Sequence, residues 1–266
     1  MNQKKIKSKM RTKSFKTAIF AAIVLVGIGT SCTDDNNDNP NIPTNTNVIK
    51  TGQITADETW TADKVYQLRG RVTVVNGATL TIQAGTVVKG EAGQDANASV
   101  LIIARGGKIN AQGTSTSPII FTSVADNIVS GQVASPNLNG SFSGLWGGVI
   151  VLGRAPISIQ NGTQAQIEGI PPTDTNGLYG GSNPTDNSGI LRYVSIRHGG
   201  TLIGNGNEIN GLTLGGVGSG TSIDHIEVLG NLDDGVEWFG GTVNVSDLLV
   251  WNTGDDAFDV DQAYTG

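Results

Sequence analysis

Residues 223–261 align on themselves with a shift of 22 and no gap. Ile226 and Val228 fall on Leu248 and Val250, Asp233 and Asp234 on Asp255 and Asp256, and Val236 and Glu237 on Phe258 and Asp259. A fixed period of this size means structural units stacked in a row. Within one unit Ile226 and Val228 alternate with His225 and Glu227, the period of a strand with one buried side. Gly230, Asn231, Asp233 and Asp234 then supply a turn, and Val236–Phe239 reads as a second short strand before Gly240 and Gly241. No segment has the i, i+3, i+4, i+7 apolar spacing of a helix long enough to cross over. Strands of successive units must therefore pair directly, about 4.8 Å apart, as coils of a parallel β-helix, an all-β solenoid. Each coil buries about four to six aliphatic side chains at roughly 1.5–3 kcal/mol apiece. One coil cannot offset its ordering entropy, whereas a stack can.

The same texture runs upstream. Thr59-Trp60-Thr61 and Val65-Tyr66-Gln67-Leu68 read as opening strands of a fold beginning at Ile49, with Trp60 placed to cover the end of the stack. Short runs follow at Val72-Thr73-Val74, Thr79-Leu80-Thr81-Ile82, Thr86-Val87-Val88-Lys89, Val100-Leu101-Ile102-Ile103, Ile119-Ile120-Phe121 and Val149-Ile150-Val151-Leu152, punctuated by glycine turns. Strands this short suit β-helix faces better than a sandwich. Residues 126–143 lack alternation and read as a projecting loop. Residues 160–189, rich in Asn, Gly, Pro, Thr and Asp, read as a longer excursion of the kind that often forms a binding face. Tyr193-Val194-Ser195-Ile196 precedes its match by 32 residues, which implies a coil lengthened by about ten residues near 199–207. The pattern stops within a coil at Gly266, so residues 49–266 read as a β-helix truncated at its C-terminal end.

The N-terminus has a different logic. Residues 1–16 carry seven of the 17 basic side chains, and residues 18–28 form an uncharged apolar run. That run fits a secretory signal and is too short for a permanent bilayer span. Gly29-Thr30-Ser31 then lead into Cys32, the one cysteine of the chain, which cannot form an internal disulfide. Residues 1–31 thus read as a lipoprotein signal peptide and Cys32 as the lipidated residue and membrane anchor. Two or three acyl chains, at roughly 0.8 kcal/mol per buried methylene, hold a protein on a membrane. Residues 32–48, acidic at first and then Asn- and Thr-rich with two prolines, read as a disordered tether. Removing residues 1–31 leaves 10 basic and 23 acidic side chains, a net charge of −13. This excludes nucleic-acid binding through phosphate neutralisation and favours cations.

The lipoprotein start, the tether and the runs VNGATLTIQAGTVVKG (75–90), GLWGGVIVLGRAPI (144–157) and DDGVEWFGGTVNV (233–245) resemble the right-handed parallel β-helix surface lipoproteins of Bacteroidetes, a largely uncharacterised group. The resemblance implies a right-handed helix and an outer-membrane location. The acidic pair Asp34-Asp35 is similar to the signal that sends such lipoproteins to the outer face. The resemblance implies no established activity. The expected function is therefore non-catalytic glycan binding, adhesion or envelope architecture, with a polysaccharide or a surface protein as partner.

Stacking at a 22-residue register would place Asp233 over Asp255, Asp234 over Asp256 and Glu237 over Asp259. Like charges one coil apart raise carboxyl pKa values or recruit a cation such as calcium, which takes six to eight hard oxygens. Asx turns are the alternative role for these aspartates. Catalysis is the other alternative. Gly254-Asp255-Asp256 resembles the Gly-Asp-Asp of polygalacturonases, in which paired carboxylates act as acid and base, with Asp233 as the nearest third carboxylate. The polygalacturonase His-Gly pair has only His198-Gly199 as a counterpart, on the wrong side in chain order. A lyase would need calcium and a basic group, for which Arg192 and Arg197 are the candidates. Neither His198 nor His225 has partners at zinc spacing. Trp251 falls on the outward parity and is a candidate sugar-stacking platform, unless it packs under a loop.

Overall fold

The computed structural model describes residues 46–204 and 207–266; Cys32, the apolar run 18–28 and the stretch up to residue 45 lie outside the described residues. The chain winds as a right-handed parallel β-helix whose coils lay three short strands on three faces. The first face holds Glu58–Trp60, Thr79–Ile82, Lys108–Gln112 and the leading halves of Gly189–Arg197, Ser222–Leu229 and Val245–Trp251. The trailing halves of those last three strands belong to the second face, beside Val87–Gly90 and Ile119–Ser123. The third face comprises Val100–Ile103, Val149–Leu152, Leu212–Gly215, Val236–Phe239 and Phe258–Asp261. Lys64–Val74 and the opening strand Thr46–Ile54 each run across the second and third faces. The fold thus begins three residues before the expected Ile49.

Side chains of one parity stack as columns in the interior. Trp60, Ile82, Ala111, Leu191, Ile223 and Val245 line the first face, and Tyr66, Val88, Phe121, Ile196, Val228 and Val250 the second. Val72, Leu101, Val149, Leu212 and Val236 form the matching column on the third. Ile226 pairs with Leu248 and Val228 with Val250, the register implied by the 22-residue repeat. Trp60 is fully buried and stacks on Tyr66 at 4.8 Å, with the Lys50 ammonium 6.0 Å from its ring centre. This aromatic pair packs inside the first coil, outside which the strand Thr46–Ile54 pairs with Lys64–Val74.

In the later coils the first and second faces meet at a single left-handed residue: Tyr193, His225 and Asp247 have φ of 48°, 55° and 55°. One residue in that region turns the chain without a loop, which lets one continuous strand serve two faces. The insertions sit at the other corners. Residues 124–148 and 198–211 join the second face to the third, and residues 153–188 join the third to the first. They cover the outsides of two faces. Ile128 packs on Val65, Val87 and Ile120 of the second face. Ile167, Ile170, Tyr179, Ile203 and Ile209 pack on Val100, Ile102, Ile150 and Leu152 of the third. Val100–Ile103 and Val149–Leu152 are unbroken aliphatic runs because both of their sides are buried. Gly90 lies under the Trp146 ring, where a Cβ would come within 2.5 Å.

Candidate functional site

On the outside of the third face, one column reads Ile102, Ile150, Thr213, Glu237, Asp259 along the stack. The insertions cover its aliphatic members; its polar members open onto the corner where the second face turns into the third. That corner is built by residues 230–235 and repeated one coil later by 252–257. Asn231, buried, donates from Nδ2 to Asp234 O at 2.8 Å and to Ile209 O at 3.1 Å, which holds the turn tight. Asp234 Oδ1 accepts the Asp256 N–H at 2.8 Å, which ties the two turns rung to rung.

The carboxylates of Asp233, Asp234 and Asp255 form one group and those of Asp234, Glu237 and Asp259 another, each with an oxygen from every member within 4.8 Å of the rest. Asp234 belongs to both. Glu237 is 8% exposed and accepts a hydrogen bond from Asn210 Nδ2. The other Asn210 contact is Nδ2 to Thr213 Oγ1 at 3.4 Å, and its Oδ1 has no partner although the residue is 2% exposed. Glu168 and Glu208, from the insertions, join Asn210, Thr213 and four isoleucines around a cavity of about 10 Å³, room for one water-sized sphere.

Burial pushes Glu237 up to about 8, against the Asn210 hydrogen bond and with help from Glu168, Asp234 and Asp259. Asp234 rises to about 6, first through burial and then through Asp233, Asp259 and Asp255; the Asp256 amide opposes the shift. Asp233 is raised by burial, then by Glu208 and Asp255. Glu168 is largely exposed as a residue, but desolvation at the cavity raises its carboxyl group, and Asp233, Asp234 and Glu208 add to this. Carboxylates raised by burial and by one another are stabilised either by protonation or by a hard cation. The residues fit a cation: two groups of three carboxylates that share Asp234 offer the hard oxygens calcium takes.

Of the six acidic residues expected here, five converge. Asp256 does not, because its exposed side chain lies outside both groups and it contributes its backbone N–H instead. This also separates Asp256 from Asp255 and Asp233, the other members of the polygalacturonase-like set. Neither arginine proposed for a lyase is available. Arg192 is held in a two-pronged bond to Asp224, and Arg197 is tied to Ser195, Glu227 and Val133 O. His198 is buried, pushed down by desolvation, with Nδ1 donating to Phe142 O at 2.8 Å. His225 faces outward at its corner, bonded to Asp224. Trp251 does not pack under a loop; it is 61% exposed on the strand that leads into the turn carrying Asp255.

Sequence reasoning missed Glu168, Glu208 and Asn210. All three lie in insertions, where the repeat gives no register to place them.

No curated protein and no solved structure matches the chain. Residues 52–266, most of its length, match the family model described as a pectate-lyase-like β-helix domain, and with three faces of parallel strands around an aliphatic interior, the chain belongs to that family.

Proposed function

We propose that the chain is a lipid-anchored envelope protein, akin to the Bacteroidetes surface lipoproteins, acylated at Cys32 and held outward at the outer membrane. There it binds polysaccharide without cleaving it, and its acidic corner holds a divalent cation, calcium by the character of its donors. Asp234 with Glu237 and Asp259, or with Asp233 and Asp255, would hold the ion. When bound, the ion supplies positive charge that hydroxyls or carboxylates of a saccharide can approach. The observation that carries the cation reading is the convergence of carboxylates, raised first by burial and then by one another, in two groups that share Asp234. Trp251, exposed on the strand entering the same corner, offers a flat apolar surface of the sort sugar rings stack on.

Calcium titration followed by a thermal melt is the test. Millimolar calcium should raise Tm of the wild type and leave Asp234→Asn/Glu237→Gln unmoved; no shift in the wild type removes the cation reading. Glycan-array binding without new chain ends would support the binding role.

One observation favours cleavage as a second reading. Glu237 at about 8 keeps its proton at neutral pH and could serve as a general acid beside ionised carboxylates. Against it, Asp256 lies outside the carboxylate groups, and Arg192 and Arg197 are both engaged in ion pairs. New reducing or unsaturated ends that vanish in Asp255→Asn would reverse the order of the two readings.

A further inference from the structure

At the opposite end of the third-face strands, where they turn towards the first face, Arg105 and Arg154 face a pocket of about 360 Å³. Gln164, Gly180, Gly181, Ser182 and Asn183, from the 153–188 insertion, complete its wall. The size is at the lower end of small-molecule sites. A Cβ on Gly106 would lie 2.9 Å from Arg154 Nη2, so glycine there leaves room for that guanidinium group.

Acidic side chains outnumber basic ones in this chain, and Arg69, Arg192 and Arg197 each have a carboxylate at 2.9–3.3 Å. Arg105 and Arg154 have none within ion-pair distance among the described residues. Their bonds are to neutral oxygens: Arg105 Nη1 to Gly180 O at 3.1 Å and Arg154 Nη2 to Asn76 Oδ1 at 3.3 Å. Each guanidinium has five N–H donors, so most of this capacity is unspent. Burial lowers the pKa of Arg105, the Arg154 charge lowers it further, and Asp186 only partly offsets the repulsion. Asp186 Oδ2 itself accepts the Arg154 backbone N–H at 3.0 Å.

We propose that the Arg105–Arg154 pocket binds an oxyanion, a carboxylate or a sulfate or phosphate ester, carried on a hydroxylated ring. The planar donors of two guanidinium groups match the oxygens of such a group, and their mutual repulsion is relieved when it bridges them. Gln164, Ser182 and Asn183 supply neutral partners for ring hydroxyls. The saccharide part rests on the glycan-binding reading; the oxyanion part does not.

The test is calorimetric titration of the whole folded chain with inorganic sulfate, galacturonate, galactose 6-sulfate, galactose 6-phosphate and neutral galactose. At least one acidic sugar should bind more tightly than inorganic sulfate, about tenfold or more weakly to Arg105→Gln/Arg154→Gln, and less tightly as salt rises. The exposed single change Arg154→Gln guards against misfolding of the double variant and should show most of the loss. Affinities equal in wild type and variants, or no binding of any anion to wild type, would overturn the proposal. Neutral-glycan binding that survives in the double variant would keep the glycan reading while this pocket fails.

Discussion

Glu237 ties folding to pH in a direction opposite to that of most carboxylates. Its folded value of about 8 lies above the ordinary 4.5, so the folded chain binds the proton more tightly than the unfolded one. The stabilisation is fully present below about 4.5 and is lost as pH rises through about 8. Asp234 acts with the same sign over a lower window, from 3.8 to about 6. In chelator, Tm should therefore fall by several degrees between about pH 5 and about pH 9, and Glu237→Gln should flatten most of that fall. A wild-type Tm that rises over this range would contradict the burial argument. Because a bound cation needs the ionised carboxylate, calcium affinity should climb over the same interval. Asp233, Asp234, Glu237, Asp255 and Asp259 were legible from the repeat because parallel pairing turns a period in sequence into adjacency in space. Asn210, Glu168 and Glu208 reach the same spot from loops of no fixed register, so no spacing announces them.

The single-residue corners at Tyr193, His225 and Asp247 make a test at the level of the turn. A left-handed conformation costs an L-residue about 1–2 kcal/mol, less for Asn and Asp and more for a β-branched residue. Asp247→Val should lower stability by about 1–2 kcal/mol in denaturant titration, while Asp247→Asn should stay within about 0.5 kcal/mol of wild type. Equal losses would mean the corner is not under this constraint. Strand legibility followed burial. Val100–Ile103 and Val149–Leu152, apolar on both sides, stand out in the sequence. Lys108–Gln112 and Leu212–Gly215 do not: the first offers only Ile109 and Ala111 to the interior, and the second sits among Gly211, Gly215 and Gly216. The stretch 126–143, read as a projecting loop, is held at its start by Asp126, which accepts from Thr122 Oγ1, Ile128 N and Ser135 Oγ.

For the whole molecule, two faces carry insertions on their outsides, while the first face presents Thr59, Ser222 and other polar side chains to solvent. If the N-terminus is acylated as proposed, wild type should partition into detergent and Cys32→Ala into the aqueous phase on Triton X-114 separation. Partitioning unaffected by the change would rule out that anchor. Asp233, Asp234, Glu237, Asp255 and Asp259 belong to the rungs, whereas Glu168 and Glu208 hang from two different loops. Glu168 feels the charge of Asp233 and Asp234, so a cation held at the rungs would also relieve the repulsion on the loop that carries Glu168. Stripping that cation away should make the 153–188 segment the first point of protease nicking, a loosening that calcium, and not added sodium, would reverse.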